Sequence, residues 1–437
     1  MKRRDFLKTT SAAGLTAAAA PNFLFAGQGQ KVRLGLIGVG LRGTWHLRNA
    51  ILRDDTEIRA ICDIDPERIS ICREMLSNAG RAEPLVFGKD DHAYRDLLIR
   101  DDIDAVIIST PWLWHVPMAV DSMKAGKYVG LEVSGAASVE ECWEMVRAHE
   151  QTGTHLMFLE NVSYRRDVMA VLNMVRQELF GELIQCHGGY QHDLRAVKFN
   201  PGVEFGEKGK SEARWRTQHS IKRNGELYPT HGLGPIVNFL DTNRGNRLVS
   251  LTSTATKSRG LRNYIVEKGG EDHPNAKVRF NLGDIVTTVM TCANGEVIVL
   301  HHDTNLPRPY SLAFRVQGTR GLWMKDGNQI YIEGVSPEPH RWEPSQPYLE
   351  KYDHEYWKKY QAVAEGAGHG GMDFFVLKEF VESVKGQKAP PIDVYDGAAM
   401  MVITPLSERS ITEGGQPQQI PDFTNGRWIK RPRVFAV

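Results

Sequence analysis

The chain has 437 residues, enough for two domains with separate cores. Its 41% apolar and 24% charged residues are those of a soluble globular protein, and 54 basic against 53 acidic side chains give no reason to expect nucleic acid or an anionic membrane as partner. No run reaches the ~18 apolar residues of a membrane-spanning helix, and Cys62, Cys72, Cys142, Cys186 and Cys292 lack the C-x-x-C spacing of a metal site, so they read as buried apolar side chains.

In chain order, Met1-Lys2-Arg3-Arg4-Asp5-Phe6-Leu7-Lys8 and the Ala-rich run to Ala26 resemble a twin-arginine export signal, and residues 1–26 are set aside. That route carries folded proteins, so export to the periplasm with a ligand already bound is expected. Val32–Ile37 then reads as a buried parallel strand. It runs into Gly38-Val39-Gly40-Leu41-Arg42-Gly43, a G-x-G-x-x-G turn opening a helix, and a second apolar strand, Glu57–Cys62, ends at Asp63, about 20 residues further on. This is a dinucleotide-binding fingerprint in full context. Gly38 permits the turn, Gly40 admits the pyrophosphate and Gly43 lets helix pack on strand. Asp63 accepts from the adenosine ribose and repels a 2′-phosphate, so NAD is expected over NADP.

Further strands are expected at Asp104–Ser109, Tyr128–Val133 and His155–Leu159, with helices at Thr44–Arg53, Pro66–Asn78, His92–Ile99, His115–Ala125 and Val139–Gln151. Asp65-Pro66 is a helix start, and Ser138 with Glu141 a capping box. The alternation predicts an α/β Rossmann domain over 31–152 with a doubly wound parallel sheet, which binds ligands at the carboxyl ends of its strands. Two such ends, Trp112-Leu113-Trp114-His115 and Glu132-Val133, should border the nicotinamide half. A carboxylate ending an apolar strand needs a partner, and a ribose hydroxyl would serve Glu132.

After Gly153 the pattern changes. A helix over 167–179 precedes strands at Leu183–Tyr190, Arg247–Thr256, Asp284–Cys292, Glu296–Asp303 and Ser311–Gly318. Asn294-Gly295 signals a type I′ hairpin. Residues 153–437 therefore read as an α+β substrate domain with a largely antiparallel open sheet. Segments 199–224 and 334–352 read as long loops, and helices near 372–385 and 394–410 should pack back on the first domain. Within this half, Tyr190, Arg216, Tyr310 and the run Tyr228-Pro229-Thr230-His231 are the candidate site, with His231 near a helix start suited to a general base. His301-His302-Asp303 is ligand-like, but neighbours on a strand face opposite ways, so no metal is expected.

The fingerprint, Thr110-Pro111-x-x-x-His115, the Glu132 strand end and the antiparallel second half resemble the Gfo/Idh/MocA oxidoreductases. Those enzymes usually carry Glu-Lys-Pro at the strand end with a catalytic Lys; here the triplet is Glu132-Val133-Ser134. That departure is shared with glycoside hydrolase family 109, which the chain also resembles in Gly130–Ala136, Glu160–Asp167, Gly189–Arg195, Asn224–Gly232 and Gly368–Asp373. The resemblance implies an α-N-acetylgalactosaminidase acting on glycans or glycosides with terminal GalNAc. It implies NAD contacts at Leu41, Arg42, Asp63, Trp112 to His115, Glu132, Val133 and Asn161, and sugar contacts at Tyr190, Arg216, Tyr228 to His231 and Tyr310. It further implies hydrolysis by a redox detour: C3 of the sugar is oxidised, C2 is deprotonated, the C1 group is eliminated, water adds and C3 is reduced again. His231 would serve the C3 hydroxyl and Tyr190, assisted by Tyr228, the C2 proton. A homo-oligomer is a further expectation, since open sheets of related enzymes often pair. The alternatives are an exported NAD-dependent sugar dehydrogenase of the Gfo/Idh/MocA type and a non-catalytic sugar-binding protein.

Overall fold

The computed structural model describes residues 31–200, 205 and 209–437, so the export-signal reading lies outside the described residues. Six strands form a first, wholly parallel sheet: β1 (Val32–Ile37), β2 (Thr56–Cys62), β3 (Leu85–Phe87), β4 (Ala105–Ile108), β5 (Tyr128–Leu131) and β6 (Leu156–Phe158). Their order is β3-β2-β1-β4-β5-β6, and the reversal between β1 and β4 opens a crevice at their carboxyl ends. The strands are apolar runs because helices cover both faces: α1 (Leu41–Ile51), α2 (Pro66–Asn78), α3 (Tyr94–Leu98), α4 (His115–Lys124) and α5 (Val139–Thr152). β3 is too short to register in the sequence pattern, and β6 belongs to this sheet although it follows residue 152.

Local signals account for the helix ends. Asp65 accepts from the backbone N–H of Glu67 at 2.9 Å, with Pro66 in the first turn. Ser138 accepts from the N–H of Glu141 at 3.2 Å, but the Glu141 carboxylate reaches the N–H of Ala137, one residue short of a reciprocal box. Gly153 closes α5 at φ +69°.

The second sheet has nine strands: β7 (Leu183–Gln191), β8 (Leu248–Ala255), β9 (Ile285–Cys292), β10 (Val297–Asp303), β11 (Arg315–Gly318), β12 (Gly321–Met324), β13 (Gln329–Ile332), β14 (Glu343–Pro344) and β15 (Gln418–Gln419). In the order β14-β13-β12-β11-β7-β10-β9-β8-β15 every pair is antiparallel except β7 and β10. That parallel pair sets Tyr190 opposite His302. The β9–β10 turn is not type I′: Asn294 is outside the left-handed region and only Gly295 has positive φ, +102°. The turn closes with Gly295 N–H on the Cys292 carbonyl, a three-residue connection ending in a left-handed glycine. The two expected loops carry short elements, the helix Arg216–Lys222 in one and β14 and the helix Gln346–Lys351 in the other.

Two of the three C-terminal helices return to the first half, and the expected helix over 394–410 is split so that its second part stays on the second sheet. Met372–Gly386 packs on α1 and β1, Val394–Met401 on α5 and β6, and Ile403–Thr412 on β8. The carboxyl ends of β4, β5 and β6 therefore meet β7 and the helix Pro229–Phe239 across one seam.

Candidate active site

The glycine turn forms a cradle whose shape two of its glycines fix. Gly38 sits at φ +82°, and a Cβ there would lie 2.8 Å from the backbone of Ser109 and Thr110. A Cβ on Gly43 would lie 2.0 Å from the Gly38 carbonyl, whereas one on Gly40 would meet nothing within 4 Å. So Gly38 and Gly43 fix the turn and Gly40 faces open space, which suits close approach of a pyrophosphate. Asp63 braces the turn by accepting from Val39 N–H at 2.7 Å and Asp65 N–H at 2.9 Å. Leu41 and Leu113, 52% and 56% exposed, are large apolar side chains left uncovered beside the cradle. Asn161 Oδ1 is buried without a hydrogen-bond partner. A dinucleotide fits this set: open cradle, uncovered apolar rim, unsatisfied acceptor.

Glu132 has partners inside the protein, not only a ribose to await. Its carboxylate accepts from Arg42 Nε at 2.6 Å, His46 Nε2 at 2.7 Å and its neighbour's Val133 N–H at 2.9 Å. Burial pushes its pKa up, but the Arg42 charge and the His46 hydrogen bond outweigh that and hold it well below the usual range. Both ring nitrogens of His115 lie 2.7 Å from backbone carbonyls, those of Ser134 and Thr110; burial pushes its pKa down, so the neutral ring bridges the two strand ends with its single N–H donating to one of them. Trp112 and Trp114 do not stay together. Trp114 turns to His92, while Trp112 joins Trp215, His219 and Tyr228 across the seam, centroids 5.0, 4.8 and 5.7 Å away. Val133 and Ser134, where related oxidoreductases by resemblance carry Lys-Pro, are buried, and Ser134 Oγ donates to the Leu227 carbonyl at 3.2 Å.

Across the seam, glycines set the spacing. A Cβ on Gly188 would lie 2.3 Å from the Gly232 carbonyl, and one on Gly232 would lie 2.4 Å from Gly189 N. The helix Pro229–Phe239 thus packs backbone to backbone on β7, setting Tyr190 against Tyr228 with ring centroids 4.4 Å apart. Two Tyr–His pairs result. Tyr190 OH is 3.1 Å from His192 Nδ1, and Tyr228 OH is 3.5 Å from His231 Nε2. His231 Nδ1 lies 2.8 Å from Oε2 of the fully buried Glu160. An ionised carboxylate only accepts, so this contact puts the proton on Nδ1 and the lone pair on Nε2. Burial pushes the Tyr190 and Tyr228 phenols above their usual range, against the pull of the Arg216 charge. It pushes His192 down, helped by Arg216, which keeps its ring neutral.

Arg216 stacks over Trp112 at 4.9 Å, Trp215 at 5.2 Å and Tyr228 at 5.6 Å. Its Nε pairs with Glu212 at 2.7 Å without an aligned hydrogen bond. Tyr310, half-exposed, stands edge-on to Tyr190 and His192 at 6.3 and 4.9 Å. Pro229 starts the helix, and Thr230 behind it is buried with Oγ1 unpartnered. His302 is buried while His301 reaches Thr287 Oγ1 at 3.2 Å; among the described residues no three His, Cys, Asp or Glu side chains could hold one ion.

Comparison with known proteins follows this division. The model of an oxidoreductase family with an NAD-binding Rossmann fold matches residues 32–159, and that of the glycosyl hydrolase 109 C-terminal domain matches 164–430. The chain belongs to glycosyl hydrolase family 109. An alpha-N-acetylgalactosaminidase of Tannerella forsythia is 49% identical over 465 residues, across 100% of this chain and 99% of its own. A family 109 protein of Stenotrophomonas maltophilia is 51% identical over 448 residues, covering 100% and 98%. Among solved structures, an NAD-binding oxidoreductase of Klebsiella pneumoniae superposes with TM-score 0.69 at 18% identity, covering 90% of this chain and 99% of its own. A levoglucosan dehydrogenase in complex with NADH does so with 0.66 at 20%, covering 90% and 100%. At such identities these two show the shared fold. The cofactor of this family 109 chain is NAD, taken by its Rossmann half.

Three residues that sequence patterning did not mark as functional lie in this family 109 site: Glu160 behind His231, His192 beside Tyr190, and Asp373 on Arg42 and Asn161. For Glu160 a signal existed. Like Glu132, it is a carboxylate just past an apolar strand.

Proposed function

We propose that the protein removes terminal α-N-acetylgalactosamine from glycans or glycosides, with NAD as a recycled cofactor. The observation that carries this reading is the Glu160–His231–Tyr228 line facing the Tyr190–His192 pair, at a seam shared with the dinucleotide cradle. The 49% identical relative that is named for this activity, matched end to end, supports it. Val133 at the position of the dehydrogenase lysine argues against a simple sugar dehydrogenase.

Gly38, Gly40, Gly43, Leu41, Arg42, Asp63, Leu113 and Asn161 would hold NAD, with Glu132, Val133, Trp112 and the His115 clamp shaping the nicotinamide side. Bound there, NAD supplies a reversible hydride acceptor for C3 of the sugar. His231 Nε2 takes the proton of the C3 hydroxyl, with Glu160 holding Nδ1–H and stabilising the charge that forms. Tyr190 removes the C2 proton made acidic by the C3 carbonyl, and His192 Nδ1 accepts the phenolic proton over 3.1 Å. Burial raises the Tyr190 phenol, and the Arg216 charge works against this by favouring the phenolate that the transfer leaves. Tyr228 assists between the two imidazoles. Loss of the C2 proton expels the C1 group, which takes up a proton and leaves as the alcohol; water then adds across the double bond, OH at C1 and a proton at C2, and as C3 regains its hydride His231 returns its proton to O3. Arg216, Tyr310, Pro229 and Thr230 would position the ring. The reading includes export by the twin-arginine route to the periplasm, supported by Arg3-Arg4 and the run that follows.

The test is hydrolysis of p-nitrophenyl α-GalNAc by protein purified without added nucleotide, in deuterated water. Many turnovers per bound NAD with deuterium at C2 of the released sugar are expected. Reduced cofactor accumulating with product would sink the hydrolase, and product without C2 exchange would sink the elimination route. Fusion of residues 1–30 to a folded reporter, followed by fractionation, tests export.

A further inference from the structure

The motif Gly368-His369-Gly370-Gly371-Met372-Asp373 has no part in the proton relay, yet it reaches the cofactor crevice from the far end of the chain. Four consecutive residues, Gly368 to Gly371, have φ of +90°, +45°, +66° and +95°. This strap is wedged between two tryptophans. A Cβ on Gly368 would lie 3.0 Å from the Trp45 ring of α1, and one on Gly371 would lie 2.7 Å from Trp357 of the helix Glu355–Ala364. His369 stands edge-on to Trp45 at 5.9 Å. The helix Met372–Gly386 follows at once, with Asp373 in its first turn.

Asp373 is 2% exposed and joins both flanks of the crevice. It accepts from Arg42 Nη1 at 2.8 Å on the α1 side, from Asn161 Nδ2 at 2.9 Å past β6, and from His369 Nδ1 at 2.7 Å. Arg42 continues the chain of charge to Glu132. Burial pushes the Asp373 carboxyl up, but the His369 hydrogen bond and the Arg42 charge more than offset this and keep it ionised. An ionised carboxylate cannot donate, so it must draw the NH₂ end of the Asn161 amide. That leaves Asn161 Oδ1 buried without a partner. A buried amide oxygen of this kind calls for a donor, and the nicotinamide half of NAD offers hydroxyl and carboxamide N–H groups.

We propose that Asp373 is a positioning residue of the dinucleotide site, and that the strap Gly368–Gly371 seals bound NAD against exchange with solvent. Asp373 sets Asn161 and Arg42 to receive the dinucleotide from two sides. Departure of the dinucleotide across this seam would require the strap to lift, which breaks the contacts of His369 with Asp373 and with Arg42. A cofactor that is returned to its starting state each turnover gains from such a seal. The inference rests on the NAD assignment and not on the glycosidase reading.

The experiment uses full-length wild type, Asp373→Asn, His369→Ala and Trp45→Ala. Bound nicotinamide is quantified after acid release, and the holoenzymes are incubated with isotopically labelled NAD to follow exchange, with no glycoside present. Wild type should retain NAD through gel filtration and exchange slowly. Asp373→Asn should exchange about tenfold faster, the effect of losing a charge-assisted hydrogen bond. His369→Ala, at a side chain 46% exposed, should exchange about threefold faster with little effect on folding. Wild-type exchange in all folded variants overturns the proposal, including the case where only the melting temperature falls. If Asp373→Asn does not fold, unchanged exchange in both His369→Ala and Trp45→Ala overturns it. Slow exchange in a wild type that cleaves no α-GalNAc leaves the seal standing and removes only the hydrolase reading.

Discussion

The two sides of the seam hold buried polar groups in different ways. On the crevice side, opposite charges are paired: Arg42 lies between Glu132 and Asp373, and His46 and His369 converge on the same carboxylate oxygens that Arg42 contacts. On the β7 side the groups are phenols and imidazoles touching in pairs, with Glu160 behind one imidazole. Capacity is left over there: Thr230 Oγ1 is buried without a hydrogen-bond partner, as is the Glu226 carboxylate two residues before Tyr228, and the cation on this side, Arg216, is paired with Glu212. A matched ion network is stiff, and breaking it exposes an uncompensated charge, which suits a socket that must keep its ligand. Weakly paired neutral groups with spare lone pairs suit a site where protons move and a sugar comes and goes.

Several measurements break or sharpen this contrast. The largest effect is expected from His231→Ala, which should lower kcat by about 10³–10⁴-fold while NAD content stays at wild-type level. Loss of NAD together with activity would show that the two sides are not separable. Next, Arg42→Ala leaves two buried carboxylates without their shared cation and should cost about 3 kcal/mol of stability in denaturant titrations. A neutral outcome would mean that His46 and His369 suffice. Glu160→Gln keeps the shape but loses the charge behind His231, and kcat should fall about 10²-fold with KM little changed. A fall in affinity instead would reassign Glu160 to sugar binding.

The smallest effect concerns Glu226. Burial pushes its carboxyl up to about 8 from an ordinary 4.5. Between those values the folded chain keeps a proton that the unfolded chain has lost, so stability falls as pH rises through that window. Glu226→Gln removes the titration. Its melting temperature should match wild type near pH 5 and exceed it by a few degrees at pH 8 to 9. Parallel melting curves for the two proteins across pH would place a compensating cation or water beside Glu226.

The contrast also separates what could be read locally from what could not. The strand, glycine turn, helix and Asp63 were legible because each signal lies within a few residues of the next: apolar run, left-handed glycine, helix start, acidic strand end. Tyr190 and His231 stood out as motif residues, but their contact depends on Gly188 and Gly232 meeting backbone to backbone, and no spacing rule joins positions that far apart. Glu132 was marked as needing a partner and a ribose hydroxyl was named; Arg42 and His46 could not be named as well, because they project from α1 onto the end of β5 only once the sheet is assembled. His115 was expected at the border of the cofactor, and that its ring lies between two carbonyls could not be read locally, because those carbonyls converge only in the fold.

Sequence alone determined the α/β first half, the largely antiparallel second half, the dinucleotide class and the family, since periodicity, turn chemistry and long motifs are written in neighbouring residues. Only the tertiary structure decided which side chains face one another. Glu160 reached His231, His192 reached Tyr190, and Asp373 crossed from the C-terminal helix to Arg42. Those meetings follow from how the two sheets and the returning helices pack, and packing is a property of the whole chain.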